Sequence, residues 1–180
     1  MWQGDPMAEQ IGELTIRPAG PADAGAIAAV HIRSWQEAYA GIVSASYLAS
    51  LDATARTATW QGYLERGPDD GVRTWIAQDG VRLLGFASVG PSRDEDARRG
   101  DLEVYSIYLD PGTWGHGVAR ELMRTLINES GEQTPLTLWV LAANERARHF
   151  YRRHGFQPDG VERYEDVGGE DLLEVRYRRG

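Results

Sequence analysis

The residues best placed to do chemistry lie between Leu102 and Glu121, in the run LEVYSIYLDPGTWGHGVARE. An extended stretch, Leu102 to Leu109, passes through Asp110-Pro111-Gly112 and then through Gly115 and Gly117 into a helical stretch. At a helix start the first amide N–H groups have no intrahelical partner and the macrodipole is positive, so this junction can bind an anion. Glycine at 115 and 117 leaves no Cβ between the main chain and a phosphate. A tight strand-to-helix turn would by itself place the same two glycines, so the pair alone does not decide.

A dinucleotide-binding fingerprint shares part of this spacing in Gly115-His116-Gly117-Val118-Ala119. Three features oppose it: the motif falls past the middle of the chain, the preceding strand alternates aromatic and small residues, and no second α/β unit of that kind is visible. A Walker loop needs a lysine, and all 19 basic side chains are arginines. Lysine Schiff-base chemistry is excluded on the same ground. With no cysteine there is no thiol nucleophile, disulfide framework or thiolate metal site. His149 and His154 are five residues apart without carboxylate or cysteine partners at zinc spacing, and no Gly-x-Ser-x-Gly elbow occurs, so neither a metal nor a serine triad is expected.

These residues must be positioned by the elements around them. Leu14 to Arg17 reads as a strand, and Pro21-Ala22-Asp23 opens a helix to about Ala40 on which Ile27, Val30, His31, Trp35 and Tyr39 recur at helical spacing. A second helical stretch runs from Ser44 or Ser46 to Leu64, with a break expected around Asp52. Arg73 to Gln78 and Leu83 to Val89 form a hairpin through Asp79-Gly80. Strand 102–109, a helix from Gly117 to Glu129, strand 136–141, a helix from Asn144 to His154 and two weaker strands, around Phe156 and from Leu172 to Tyr177, complete the order. Strand, two helices, three strands, helix, strand, helix and two strands make an α/β domain with a mixed sheet and helices on its faces. One domain over 13–180, after a flexible segment over 1–12, suits 180 residues.

The chain carries 27 acidic against 19 basic side chains, a net charge of −8, with 42% hydrophobic and 26% charged residues. That composition suits a globular protein and lacks the basic footprint that a phosphate backbone demands, so nucleic acid is not expected as a partner. A cationic small molecule fits the field better. The first residues show no basic run followed by an apolar stretch, so neither a secretory signal nor a membrane span is expected, and a cytoplasmic location follows as an expectation.

Two segments taken together carry a resemblance: Trp114-Gly115-His116-Gly117-Val118-Ala119, and Asn144 to Phe156 in the pattern Asn-x-x-Ala-x-x-Phe-Tyr-x-x-x-Gly-Phe. With the element order, they resemble the GNAT superfamily of acyl-CoA-dependent N-acetyltransferases over nearly the whole chain. The resemblance implies a mostly antiparallel mixed sheet splayed between its fourth and fifth strands. It implies acetyl-CoA as acyl donor, no metal, and direct attack of a primary amine of a small molecule or peptide on the thioester. Homodimers are frequent in the family and one is expected here. A non-catalytic acyl-CoA sensor or protein-interaction module on the same fold is the alternative.

The resemblance also implies roles. Main-chain groups of Ile107, Tyr108 and Leu109 would pair with the pantetheine arm and polarise the thioester carbonyl. The turn from Trp114 through Gly115, His116, Gly117, Val118 and Ala119 would hold the diphosphate. Trp114 stands where the family has Gln or Arg, and indole offers one N–H donor and no cation, so Arg120 or His116 is the expected replacement charge. Asn144 would cap its helix and touch the cofactor. Tyr151 would donate a proton to the leaving thiolate, and Glu103 would take the ammonium proton through water. Strict alternation puts Glu103, Tyr105, Ile107 and Leu109 on one face, where Tyr105 would join Trp35 and Tyr39 as an acceptor wall. Amphipathic packing is the first reading of His31, Trp35, Tyr39, Tyr47 and Trp60, and a core position that of Phe150. The acidic tail residues Glu162, Glu165, Asp166, Glu170 and Asp171 read as a solvated loop that could attract an ammonium group.

Overall fold

A computed structural model describes residues 11–67 and 69–180. Most of the segment expected to be flexible, 1–12, lies outside these residues. Ile11 packs against the core, and the Gly12 amide donates to the Asp79 carboxylate at 2.8 Å.

The chain forms β1 (Leu14–Pro18), α1 (Ala24–Ala38), α2 (Ala45–Ser50), α3 (Ala53–Arg66), β2 (Arg73–Asp79), β3 (Arg82–Pro91), β4 (Leu102–Leu109), α4 (Val118–Ser130), β5 (Leu136–Leu141), α5 (Glu145–Arg153), β6 (Gln157–Val167) and β7 (Glu170–Arg179). The second helical stretch is two helices. Asp52 has extended backbone and its carboxylate accepts the Ala55 amide at 2.6 Å, so it ends one helical run and caps the next. The acidic tail, expected as a loop, is instead strand in β6 and β7, paired from Glu162 with Val175 to Val167 with Glu170. Its side chains still face solvent, which is why no apolar alternation marked the strand.

The seven strands lie in the order β1-β2-β3-β4-β5-β7-β6, antiparallel except for the parallel pair β4 and β5. On one face α4 buries Val118, Leu122, Met123 and Leu126, joined by Tyr151 from α5. On the other, Ile27, Ala28 and Val30 of α1 and Trp60 of α3 pack on Ile76, Leu83 and Phe86. Among the described residues, no helix is long and apolar enough to cross a membrane.

Two features of the sheet create the site. First, β4 and β5 pair only from Leu102 with Leu136 to Val104 with Leu138 and then part. Second, Ser88 pairs with Ser106 and Val89 with Val104, so Tyr105 has no partner on β3 and forms a bulge. A bulge bends a strand and raises its twist, and this one begins where the pairing with β5 ends. It also overturns the expected alternation. Ile107 and Leu109 share the α4 face with Leu102 and Val104, whereas Tyr108 packs on the α1 side. One inserted residue exchanges every face after it, so Glu103 is not aligned with Ile107 and Leu109.

The loop between β3 and β4 is anchored by Arg176 of β7, which is 4% exposed. Its Nη1 lies 3.3 Å from Asp94 and 2.5 Å from Asp96, and its Nε donates to Asp159 at 2.7 Å. Asp94 also accepts the Trp139 indole N–H at 2.9 Å. Removing one partner of such a cluster strands buried charge. Arg176→Leu is expected to lower stability by about 3 kcal/mol or more in chemical denaturation; a loss near zero would show that the loop does not depend on it.

His31 of α1 accepts the Trp60 indole N–H at its Nδ1 (3.1 Å) and stacks on Tyr108 with ring centroids 4.8 Å apart. Burial, helped by the charge of Arg56, pushes its pKa down to about 3. The folded state therefore holds His31 neutral while the unfolded chain protonates it below about pH 6.5. Stability from this group is fully present above that pH and falls as pH drops from about 6.5 towards 3, by at most about 1.4 kcal/mol per pH unit. Denaturation midpoints followed from pH 7 to 5 are expected to fall less steeply in His31→Asn than in the parent; equal slopes would contradict this.

Candidate active site

The parted strands open into a cavity of about 880 Å³. Its walls come from the end of α1, the bulged part of β4, the turn before α4, the end of β5 and one face of α5. From Tyr105 to Leu109 the edge of β4 that faces β5 has no strand partner, so its main-chain groups are open to whatever enters.

At one end lies the turn into α4. Gly115 and Gly117 take positive φ values of 86° and 82°, a backbone region that suits glycine, and a Cβ built at Gly115 would meet nothing within 4 Å. The first turn of α4, whose leading amides lack intrahelical partners, lies on the cavity wall at Val118, Ala119 and Arg120. Val118 is fully buried and locks the helix start to the core. Trp114, Gly115, Gly117, Val118, Ala119 and Arg120 line the cavity together with Ile107, Tyr108 and Leu109. His116 stands apart: it is exposed, does not line the cavity, and its Nδ1 lies 3.1 Å from the Trp114 carbonyl oxygen. Arg120 lines the cavity, yet its Nε donates to Glu121 at 3.1 Å. Asn144 caps α5, its side-chain oxygen accepting the Ala147 amide at 3.1 Å, and it also lines the cavity.

At the other end Glu103 is 2% exposed. Arg93 clasps it: Nη2 donates to Oε1 at 2.5 Å, and Nε and the Arg93 amide both donate to Oε2 at 3.1 Å. The Glu103 bond in turn holds the Arg93 guanidinium pKa above its usual value. Arg93 also lies over the Tyr105 ring at 4.1 Å, and the Tyr105 hydroxyl donates to the Pro91 carbonyl at 2.7 Å. Tyr105 is therefore committed to the bulge and the loop, although its edge reaches the cavity. A carboxylate has about four lone-pair sites, and three are filled here.

Between the two ends are three phenols. The hydroxyls of Tyr39 and Tyr108 are 3.3 Å apart, and Tyr151, 9% exposed, lines the same space. Burial raises all three pKa values, and the Tyr108 phenol adds to the rise at Tyr151. Each stays protonated at neutral pH and can donate. Of the expected acceptor wall, Tyr39 and Tyr105 reach the cavity, whereas Trp35 stands behind Tyr39 in an edge contact at 5.0 Å. Phe150, expected in the core, packs against it and also lines the cavity.

Arg93 and Arg146 are among the charged residues of the cavity that sequence reasoning passed over. Arg93 lies in the hydrophilic loop ten residues before Glu103, and no spacing rule links them; only the turn of the loop does. Arg146 lies inside the recognised Asn144–Phe156 pattern, and its guanidinium sits over the Trp114 ring at 3.9 Å. An arginine on a helix whose other face is buried was the available signal.

The comparisons with known proteins agree with this geometry. A family model described as the acetyltransferase (GNAT) family matches residues 32–156. An uncharacterized N-acetyltransferase of Bacillus subtilis is 34% identical over 166 residues, 90% of each chain. A probable N-acetyltransferase of Mycobacterium tuberculosis is 25% identical over 92% of each chain. In fold, the chain is similar to the PaiA N-acetyltransferase of Thermoplasma acidophilum, solved in complex with coenzyme A, with a TM-score of 0.73 at 20% identity over 93% of this chain and 99% of that one. Sheet, turn, α5 pattern and sequence similarity converge on one assignment: the chain belongs to the GNAT family of acetyltransferases.

Proposed function

We propose that the protein transfers an acetyl group from acetyl-CoA to a primary amine of a small molecule or peptide by direct attack. The observation that carries this reading is the continuity of the glycine turn before α4 with the parted β4–β5 edge in a single cavity. A phosphate site and an open strand edge so joined suit a ligand with a diphosphate at one end and an amide-bearing arm running from it. The coenzyme A in the complex of the Thermoplasma PaiA relative supports the same ligand class.

Bound acetyl-CoA supplies an activated acetyl thioester. The chain's own groups do the rest. The amides of α4 hold the phosphates, and the open groups of Ile107, Tyr108 and Leu109 pair with the arm and fix the acyl carbonyl beside a β4 N–H. Holding amine and thioester in one cavity makes the attack effectively intramolecular. An ammonium must lose a proton first. Glu103 serves this through water held at its remaining lone pair, passing the proton towards the open mouth, because its other sites are bonded to Arg93. As the C–S bond breaks, Tyr151 donates its hydroxyl proton to the departing thiolate sulfur and recovers a proton from the attacking nitrogen, which sheds its second one as the amide forms; burial keeps the phenol protonated at neutral pH. The net charge of −8 favours approach of a cationic amine.

Calorimetric titration with acetyl-CoA and thiol release across a panel of primary amines test the reading. Binding in calorimetry and turnover of at least one amine are expected; tight binding with no turnover on any of them would favour the acyl-CoA sensor. Tyr151→Phe is expected to lower kcat about 100-fold with acetyl-CoA affinity unchanged, and an unchanged kcat would remove the acid role. Because burial raises this phenol, kcat of the parent should show no loss from its ionisation below about pH 10. Glu103→Gln is expected to lower kcat at least about 10-fold with acetyl-CoA affinity unchanged. An unchanged kcat in that variant would place the base elsewhere.

A further inference from the structure

We propose that Arg146, held over the Trp114 ring, is the cation that grips the diphosphate of coenzyme A in this chain; the inference rests on the acetyl-CoA reading above. Trp114 directly precedes the Gly115-His116-Gly117 turn, at the place where the resemblance expects Gln or Arg, and indole brings no charge there. The Arg146 guanidinium carbon lies 3.9 Å from the centroid of that indole, and both residues line the cavity. The charge missing from the turn in sequence is thus delivered to it in space, from α5.

Of the cavity arginines Arg93, Arg120, Arg146, Arg153 and Arg163, only Arg146 and Arg153 are in no ion pair among the described residues, and of these two it is Arg146 that stacks on the ring beside the turn. Arg120 donates to Glu121, Arg148 pairs with Glu145 at 2.5 Å, and Arg124 bonds Glu121 at 3.3 Å, so each of these charges is already shared with a carboxylate. Among the described residues Arg146 is in no such ion pair. His116, the other expected substitute, is turned to the Trp114 carbonyl and away from the cavity. Stacking satisfies the face of a guanidinium and leaves the N–H groups of its edge free for an anion. It also restrains a long side chain before the ligand arrives, which reduces the entropy lost on binding. Trp114 then acts as a positioning residue: it holds the cation beside the turn that leads into α4.

The test is calorimetric titration of the full chain with coenzyme A and with 3′-dephospho-coenzyme A, at several salt concentrations. Arg146→Ala is expected to weaken both ligands equally, by about 10- to 100-fold, and to lower the salt dependence of log Kd, with the thermal midpoint unchanged. Introducing Trp114→Arg into the Arg146→Ala background should regain most of the loss, since it restores a cation at the same turn. Equal affinity of the parent and Arg146→Ala would overturn the inference. A loss seen with coenzyme A and not with the dephospho form would also overturn it, by placing Arg146 on the 3′-phosphate. Failure of the parent itself to bind coenzyme A would instead overturn the acetyl-CoA reading, so the two failures are distinguishable.

Discussion

The constraint on which the structure depends is the short pairing of two neighbouring parallel strands. β4 and β5 share hydrogen-bonded register for three residues each and then diverge. Buried main-chain groups need partners, so a sheet that opens in its middle is costly unless a ligand or water serves the exposed edges. The bulge at Tyr105 makes the divergence local by bending β4 immediately after the last paired residue. The cavity is the volume that this bend creates.

Around that opening, the groups that hold the fold also orient the site. Arg176 fastens the β3–β4 loop through Asp94 and Asp96, and the same loop carries Arg93 to Glu103. Trp139 of β5 joins this network through Asp94 while lining the cavity. On the α1 side, neutral His31 stacks on Tyr108 and so fixes the phenol that meets Tyr39. Burial of these phenols raises their pKa values and makes them donors across the neutral range. Rigidity and proton chemistry therefore have a common source in desolvation.

The cavity is also divided in charge. The end at the glycine turn has the positive start of α4 and Arg146, which is in no ion pair among the described residues. Away from the turn, Glu103 pairs with Arg93 and Glu174 with Arg163, whereas Glu37, which also lines the cavity, is in no ion pair among the described residues. The two sides of the parted strands thus differ in charge.

Local patterns were sufficient for much of this. Strand 102–109, strand 136–141, the glycine turn and the Asn144–Phe156 pattern were legible because period, turn residues and caps act over a few residues. Asp52 could be suspected as a break for the same reason. The bulge was not legible, since an extra residue in β4 is defined only by what β3 places opposite it, and it reversed the predicted face of Ile107 and Leu109. The acidic run from Glu162 to Asp171 became strand because backbone pairing with β7, not side-chain burial, supports it. Arg93 with Glu103 and Arg146 with Trp114 were invisible for a related reason: each pair joins separate elements, at distances set by the packing of loop on sheet and of α5 on the α4 turn. The order of residues thus determined most of the elements, the family and the glycine turn, whereas only the folded chain decided which charges stand beside one another, because Coulomb attraction and stacking depend on separation in space.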